Sequence, residues 1–190
     1  MNALKKQFPY PAEKPMVPAN HHGWLSGCNK QVLAGRKNVN IILEIGSWLG
    51  MSARFLCESY PKAQVICVDH WQGSSEHIRD YPEYLPTLYE TFIVNCWKYR
   101  DRITPVKLRS LDAIELISSL DIEPDLVYID GSHDFLSVFA DLEMCYIDFP
   151  NAQIVGDDWH IEDVRNAVEF FCQISGIEYR LTNDTWEILR

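Results

Sequence analysis

The sequence predicts an α/β fold with a doubly wound, mostly parallel sheet. From residue 41 onward, short apolar runs rich in β-branched residues alternate with longer segments of helical spacing. The runs carry apolar residues at consecutive positions, which is typical of strands covered by helices on both faces. With 190 residues, 47% of them hydrophobic, the chain is expected to form one domain over residues 1–190.

The elements follow in chain order. Five runs predict parallel strands: IILEI (41–45), QVICVD (64–69), ITPVKL (103–108), DLVYID (125–130) and QIVG (153–156). Apolar residues spaced by three and four predict helices over 51–60, 111–120, 135–147 and 161–174. The longer stretch 70–100 is interpreted as a loop up to Pro86 followed by a helix. Alternating runs on both sides of Asn183-Asp184 predict a tight hairpin, so the sheet should end in an antiparallel pair.

Residues 1–35 are predicted to form an arm or lid outside the core. Its prolines disfavour a regular helix and indicate an extended segment that packs on the domain or covers a site: Pro9, Pro11, Pro15 and Pro18. The arm has no uninterrupted apolar segment, so neither a signal peptide nor a membrane helix is expected, which favours the cytoplasm and no membrane partner. The net charge of −10 disfavours a nucleic-acid partner. The six separated cysteines are interpreted as reduced core residues.

The turn after the first strand, EIGSWLGMS, is the first candidate site, because ligands of open α/β sheets bind at the carboxyl ends of the strands. Gly46 permits a tight turn, and Gly50 lets helix and strand approach. Trp48 stands where a dinucleotide-binding turn needs a glycine close to the pyrophosphate. Glu44 is expected to point a carboxylate toward the turn, which would repel phosphates. The turn therefore disfavours NAD and favours a ligand with positive charge.

A second carboxylate, Asp69, closes the next predicted strand 19 residues after Gly50. A carboxylate at this place can accept hydrogen bonds from both hydroxyls of a ribose. A positive group together with a ribose indicates S-adenosylmethionine. Each acid has a plainer alternative, in which Glu44 is an ordinary strand-end acid and Asp69 caps a helix.

The segment LEIGSWLGMSARFL resembles the first motif, E-x-G-x-x-x-G-x-S, of class I S-adenosylmethionine-dependent methyltransferases, in the catechol, macrolide and sugar O-methyltransferase-like branch. The resemblance covers about residues 38–190 and implies a Rossmann-like, seven-stranded sheet of order 3-2-1-4-5-7-6. It implies that one group of residues surrounds the amino-acid part of the cofactor: Glu44, Gly46, Ser47, Trp48, Gly50 and Ser52. It places Asp69 on the ribose, and four further residues at the adenine: His70, Trp71, Ser110 and Leu111.

Two further strand ends carry acids. Asp130 ends the fourth predicted strand beside the proposed cofactor and is counted among its contacts, and Asp157 and Asp158 end the fifth. Three converging carboxylates need a positive partner, and Mg²⁺ or Mn²⁺ suits oxygen ligands. Their spacing is similar to the D…DD triplet of the metal-dependent O-methyltransferases. In the alternative, Asp157 and Asp158 cap the helix near Ile161 and Asp130 pairs with a basic side chain.

His133 is the candidate general base, three residues beyond Asp130. A neutral imidazole near pH 7 can accept a hydroxyl proton, and a nearby metal would lower the pKa of that hydroxyl. The catechol-type enzymes that the chain resembles carry a lysine at the matching position. A turn histidine bonded to backbone and a metal ligand are the alternative interpretations.

These observations predict an S-adenosylmethionine-dependent methyltransferase that transfers a methyl group to a hydroxyl oxygen of a small molecule with divalent-metal assistance. The alternatives are a non-catalytic S-adenosylmethionine-binding protein of the same fold, a nicotinamide-dependent oxidoreductase and a metal-dependent hydrolase. The acceptor contacts are expected in residues 1–35 and 72–86. The acceptor's identity and the oligomeric state, a homo-oligomer included, stay open at this point.

Overall fold

The computed structural model describes residues 1–17 and 22–190; Pro18, one of the predicted arm prolines, lies outside the described residues. The strands are β1 (Ile41–Ile45), β2 (Gln64–Val68), β3 (Ile103–Val106), β4 (Leu126–Ile129), β5 (Gln153–Gly156), β6 (Glu178–Thr182) and β7 (Thr185–Leu189). The α-helices are α1 (Asn2–Gln7), α2 (Gly27–Leu33), α3 (Met51–Ser59), α4 (Ser75–Asp80), α5 (Leu88–Cys96), α6 (Ser110–Ser119), α7 (Phe135–Asp148) and α8 (Glu162–Ser175). Two 3-10 helices, Pro82–Thr87 and Trp97–Tyr99, flank α5.

The seven strands form one sheet of order β3-β2-β1-β4-β5-β7-β6. Strands β1 to β5 are parallel, and β7 runs antiparallel to both β5 and β6. The predicted fold class, strand order and terminal hairpin are therefore confirmed. Three predicted strands were one or two residues too long at their carboxyl ends, because Asp69, Leu108 and Asp130 already leave the sheet toward the loops.

Helices cover both faces of the sheet, so alternate residues of each central strand enter two separate cores. On β1, Leu43 and Ile45 pack in the core that includes residues of α6, α7 and α8. Ile42 packs in the other core, with residues of α3 and α5. Because side chains alternate along a strand, Glu44 is directed to the same face as Ile42. This arrangement sets which strand-end side chains can reach a ligand.

Three short helices were not predicted. Helix α1 precedes Pro9 and anchors the arm through Leu4, which is 0% exposed. Helix α2 begins after Ser26, whose side chain accepts a hydrogen bond from the Asn29 N–H. Helix α4 lies in the stretch that was interpreted as loop, and Ser74 caps it. Helices of six or seven residues are too short to show a clear apolar period and depend on caps and tertiary packing.

The six cysteines are free, and five of them are buried, as predicted. Cys28 is half-buried, so the prediction that it is a core residue was wrong. Within residues 1–17 and 22–190, every helix is too short or too polar to cross a lipid bilayer.

Candidate functional site

The turn between β1 and α3 is built from backbone conformations that most residues avoid. Gly46 has a φ of +87°, and a Cβ there would lie 1.9 Å from the carbonyl oxygen of Asp130. Gly50 has a φ of +85°, and a Cβ there would lie 2.4 Å from Sγ of Cys96. Gly50 therefore makes room for α5 rather than for a strand. The backbone of Trp48 also adopts the left-handed conformation, with a φ of 43°.

Glu44 lies beneath this turn and is 0% exposed. Its Oε2 accepts a hydrogen bond from the Ser47 hydroxyl, and its Oε1 has no hydrogen-bond partner within the described part of the chain. Burial raises the pKa of the Glu44 carboxyl. The carboxylate therefore points toward the turn, as predicted, and contacts Ser47 within it. Because it is covered completely, its predicted place beside the amino-acid part of the cofactor stays a prediction.

Asp69 organises the backbone around the turn. Its Oδ2 accepts a hydrogen bond from the Trp48 N–H at 2.9 Å, and its Oδ1 accepts one from the Trp71 N–H at 2.6 Å. The Trp71 indole donates to the Trp48 carbonyl at 2.9 Å, which closes the ring of contacts. Each carboxylate oxygen of Asp69 retains a lone pair for a further donor.

Two neighbouring cavities open at the carboxyl edge of the sheet. The strand-end cavity, about 280 Å³, lies against the ends of β1 to β4 and the first turns of α6 and α7. The second cavity, about 530 Å³, lies between the β1–α3 turn, α4 and residues 23–26 of the arm. It is also lined by three acids that follow β4 and β5, Asp130, Asp157 and Asp158, which are called the triad, and it is therefore called the triad cavity. The two cavities share five of their lining residues: Gly46, Trp48, His77, Asp130 and Gly131. They are therefore adjoining compartments with a common wall.

Nine of the twelve predicted cofactor residues line these cavities: Gly46, Ser47, Trp48, Gly50, Ser52, Asp69, His70, Ser110 and Asp130. Glu44, Trp71 and Leu111 line neither. Trp71 is 4% exposed and packs against Tyr89 and Phe92, so its side chain is part of the core, and its predicted contact with adenine stays a prediction. Leu111 is on the surface at 40% exposure, because it follows Ser110 around the first turn of α6.

The three predicted metal ligands come together. Asp130, Asp157 and Asp158 each offer a carboxylate oxygen, and these atoms lie within 4.8 Å of one another. Burial, followed by the charges of the neighbouring acids, raises the pKa of Asp130 well above its usual range and raises that of Asp157. Three hard oxygen ligands at this separation are chemically suited to a divalent cation.

Two buried polar residues hold Asp157 in the triad. The Asn29 amide, from α2, and the Tyr128 hydroxyl both donate to its Oδ2. Asn29 is 1% exposed, and its Oδ1 accepts hydrogen bonds from Ser26 and Thr185. The arm therefore contributes directly to the acidic site, a role that the sequence did not indicate.

A second acidic group, Asp158, His160 and Asp184, also brings potential ligand atoms together. The His160 side chain is 65% exposed and its Nδ1 lies 2.7 Å from Asp184 Oδ2. An exposed pair of this kind is common at protein surfaces, and the group adds no ligand observation of its own.

His133 lies between two carboxylates. Its Nδ1 is 2.9 Å from Glu76 Oε2, and its Nε2 is 2.9 Å from Asp158 Oδ2. The hydrogen bond to Asp158, against the opposing effect of burial and together with Glu76, raises the pKa of His133 to about 9. The imidazole is therefore protonated at pH 7 in this arrangement, and it supplies the positive charge that the acids require.

His77 of α4 is a site residue that the sequence did not single out. Its ring stacks on Trp48 with centroids 3.6 Å apart and an interplanar angle of 11°. Its Nδ1 accepts a hydrogen bond from the Ser74 N–H at 3.2 Å, which leaves the proton on Nε2. Burial lowers the pKa of His77, so this ring is neutral where the two cavities meet. Only the short α4 brings it there.

The chain is similar to known proteins in both sequence and fold. A family model described as a methyltransferase domain matches residues 43–159. No curated protein sequence matches the chain. A crystal structure assigned as a caffeoyl-CoA O-methyltransferase from Staphylococcus aureus superposes with a TM-score of 0.56 at 16% identity, over 99% of this chain and 91% of that chain. The crystal structure of the cofactor-bound protein Rv0187 from MTB superposes with a TM-score of 0.55 at 18% sequence identity, over 98% of this chain and 84% of that chain. A crystal structure assigned as an O-methyltransferase from Klebsiella pneumoniae superposes with a TM-score of 0.56 at 17% sequence identity, over 98% of this chain and 85% of that chain.

Proposed function

The chain belongs to the family of methyltransferase domains, and from that premise we propose that it transfers a methyl group from S-adenosylmethionine to a hydroxyl oxygen of a small molecule with the help of a divalent cation. The observation that carries the proposal is the meeting of a strand-end cavity and an acidic triad at one edge of the sheet, with Asp130 in both.

The strand-end cavity suits the nucleoside part of the cofactor. Asp69 lines it with a carboxylate that still has free lone pairs for ribose hydroxyls. Gly46 gives the cavity its shape, because a Cβ at this position would meet the Asp130 backbone. Trp48 fills the place that a pyrophosphate would need, so a nicotinamide dinucleotide is the poorer fit. When bound, S-adenosylmethionine supplies a methyl group already activated by its sulfonium.

Asp130, Asp157 and Asp158 are the residues that would hold the cation. Burial first, and then the charges of the neighbouring acids, raise the pKa values of Asp130 and Asp157, and a bound Mg²⁺ or Mn²⁺ would offset both costs of ionisation. A cation there would supply positive charge that favours ionisation of an acceptor hydroxyl. Asn29 and Tyr128 keep Asp157 oriented through their hydrogen bonds.

His133 is the proposed proton acceptor, because its Nε2 faces the triad at the wall of the triad cavity. Accepting a proton requires the neutral imidazole, whereas the hydrogen bond to Asp158 holds the imidazolium form. If Asp158 held a divalent cation, its carboxylate would no longer be free to accept the hydrogen bond from His133 Nε2, and the neutral imidazole would be favoured. The chain thereby links cation binding to the readiness of His133 as a base.

The triad cavity is the proposed acceptor site. Residues of the arm line one side of it, in keeping with the prediction that residues 1–35 help to cover the site. The rings of Trp24 and Tyr81 contact each other on the cavity wall, with centroids 5.2 Å apart and planes inclined at 51°, and aromatic rings pack well on flat or weakly polar acceptors. The net charge of −10 supports a small-molecule acceptor over nucleic acid.

The experiment has a binding part and a turnover part. S-adenosylhomocysteine titrated into the protein in a calorimeter should bind, and the absence of heat at millimolar ligand would overturn the proposal. Formation of S-adenosylhomocysteine from S-adenosylmethionine is then followed with Mg²⁺ and a panel of phenols, catechols and sugars. We expect Asp158→Asn to lose turnover at least ~100-fold while binding S-adenosylhomocysteine normally. Asp101→Asn, at the amino end of β3, is the matched control and should keep full turnover.

A non-catalytic S-adenosylmethionine-binding protein is the second candidate. One observation favours it: His133 already neutralises part of the acidic cluster through Glu76 and Asp158. Under this alternative, S-adenosylhomocysteine binds with the same affinity with and without Mg²⁺, and no acceptor of the panel is methylated.

A further inference from the structure

Asp141 is a buried acid that the proposed chemistry does not use. It belongs to α7, is 3% exposed, and contributes to the wall of the strand-end cavity. Its Oδ1 has no hydrogen-bond partner among the described residues. Burial raises its pKa to about 6, and the neighbouring Ser110 hydroxyl offsets only part of that rise. A carboxylate in this state is costly to the fold and needs a donor.

The position of Asp141 restricts what that donor can be. Asp69 and Asp141 both line the strand-end cavity, Asp69 from the end of β2 and Asp141 from α7. Leu108 and Ser110, after β3, also line the cavity, and the Ser110 side chain is near enough to Asp141 to lower the pKa of its carboxyl. Because these residues line one cavity, a nucleoside whose ribose lay at Asp69 would have the wall formed by Ser110 and Asp141 within the same cavity for its base. Adenine has one strong donor on its edge, the exocyclic amino group, whereas its ring nitrogens are acceptors.

Resting on the proposed function, we propose that Asp141 accepts a hydrogen bond from the exocyclic amino group of the adenine ring and so determines the base specificity of the cofactor site. The amino group would supply the donor that residues 1–17 and 22–190 do not provide to Oδ1. A base that lacks this amino group leaves the carboxylate buried and without a partner, so it binds less tightly.

The test is a four-way comparison of binding by calorimetry at pH 7.5. The two ligands are S-adenosylhomocysteine and its analogue in which the purine lacks the 6-amino group; the two proteins are the natural chain and Asp141→Ala. A hydrogen bond to a charged group corresponds to ~10-fold or more in affinity. We expect the natural protein to prefer S-adenosylhomocysteine by at least ~10-fold, and Asp141→Ala to bind the two ligands within ~3-fold of each other.

Two further variants keep the result interpretable. Asp141→Asn retains a neutral acceptor without changing the side chain's size, and its preference should fall between those of the other two proteins. Glu143→Gln, on the same helix, should keep the full preference. Equal binding of both ligands by the natural protein overturns the proposal, and so does a preference that survives in Asp141→Ala. If the natural protein does not bind S-adenosylhomocysteine at all, the proposed function fails and this inference fails with it.

Discussion

At the scale of single residues, the buried carboxyl of Asp141 sets a pH dependence of stability. Its pKa is about 6 in the folded protein, above its ordinary value of 3.8. Between these two values the folded chain holds the proton while the unfolded chain releases it, so the contribution of this group to stability is lost as pH rises through about 6. The 2.2-unit difference corresponds to about 3 kcal/mol at pH 7.5.

Asp141→Asn removes this ionisable group, so we expect the variant to be more stable than the natural protein at neutral pH. The gain in the free energy of unfolding should be about 2 kcal/mol larger at pH 7.5 than at pH 4.5, because little of the ionisation cost remains at the lower pH. Urea unfolding of both proteins at the two pH values gives the difference, in which all other titrations cancel. A gain that is equal at both pH values would contradict the raised pKa. Higher stability together with weaker cofactor binding would mark a residue retained for function.

At the scale of elements, the turn between β1 and α3 depends on Gly46. Its φ of +87° is strained for any other residue, and an added Cβ would meet the Asp130 carbonyl oxygen, which belongs to backbone and cannot move aside cheaply. We expect Gly46→Ala to lower the free energy of unfolding by at least about 3 kcal/mol, combining left-handed strain with overpacking. Urea denaturation followed by circular dichroism measures this loss.

Gly35→Ala is the matched control for Gly46→Ala. Gly35 has a similar φ of +76°, but an added Cβ there has no atom within 4 Å. Only the backbone strain of about 1–2 kcal/mol should therefore appear. Equal losses in the two variants would mean that the contact between the turn and the end of β4 does not matter to the fold.

Elements with a long apolar pattern could be predicted, and elements held by single contacts could not. The runs that became β1 and β5 were predicted to the residue because every position is buried or nearly so. Helix α2 gave no periodic signal, since its position depends on Asn29 reaching Asp157, a residue 128 positions away. The same limit explains why His77 was missed: α4 has six residues and none is buried.

The same distinction between regular patterns and single contacts separates the site residues that could be predicted from those that could not. The acids that follow β4 and β5 were correctly predicted to converge, because parallel strands place their carboxyl ends at one edge. Glu44 was correctly predicted to point toward the turn, where it accepts a hydrogen bond from Ser47, but its complete burial depends on tertiary packing that the sequence pattern does not show. The partners of His133 come from α4 and from the loop after β5, so its charge state was beyond sequence patterns.

At the scale of the whole molecule, the three acids of the triad are part of a net charge of −10 and concentrate negative charge at one edge of the sheet. Self-repulsion of this kind destabilises a compact state, and a cation bound only to the folded chain stabilises it. We therefore expect Mg²⁺ or Mn²⁺ to raise the thermal unfolding midpoint. At a free cation concentration of 100 times Kd the gain is about 2.7 kcal/mol, or roughly 5–10 °C for a chain of this size.

General screening of surface charge also raises the midpoint of an acidic protein, so the measurement needs two controls. NaCl at matched ionic strength reports the screening alone, and its effect should be smaller than that of Mg²⁺. The combined variant Asp130→Asn, Asp157→Asn and Asp158→Asn should melt at a higher temperature than the natural protein in the absence of divalent ions, because its repulsion has been removed. The same variant should respond alike to MgCl₂ and matched NaCl. An undiminished Mg²⁺ response in the variant would place the cation elsewhere on the surface and remove it from the proposed reaction.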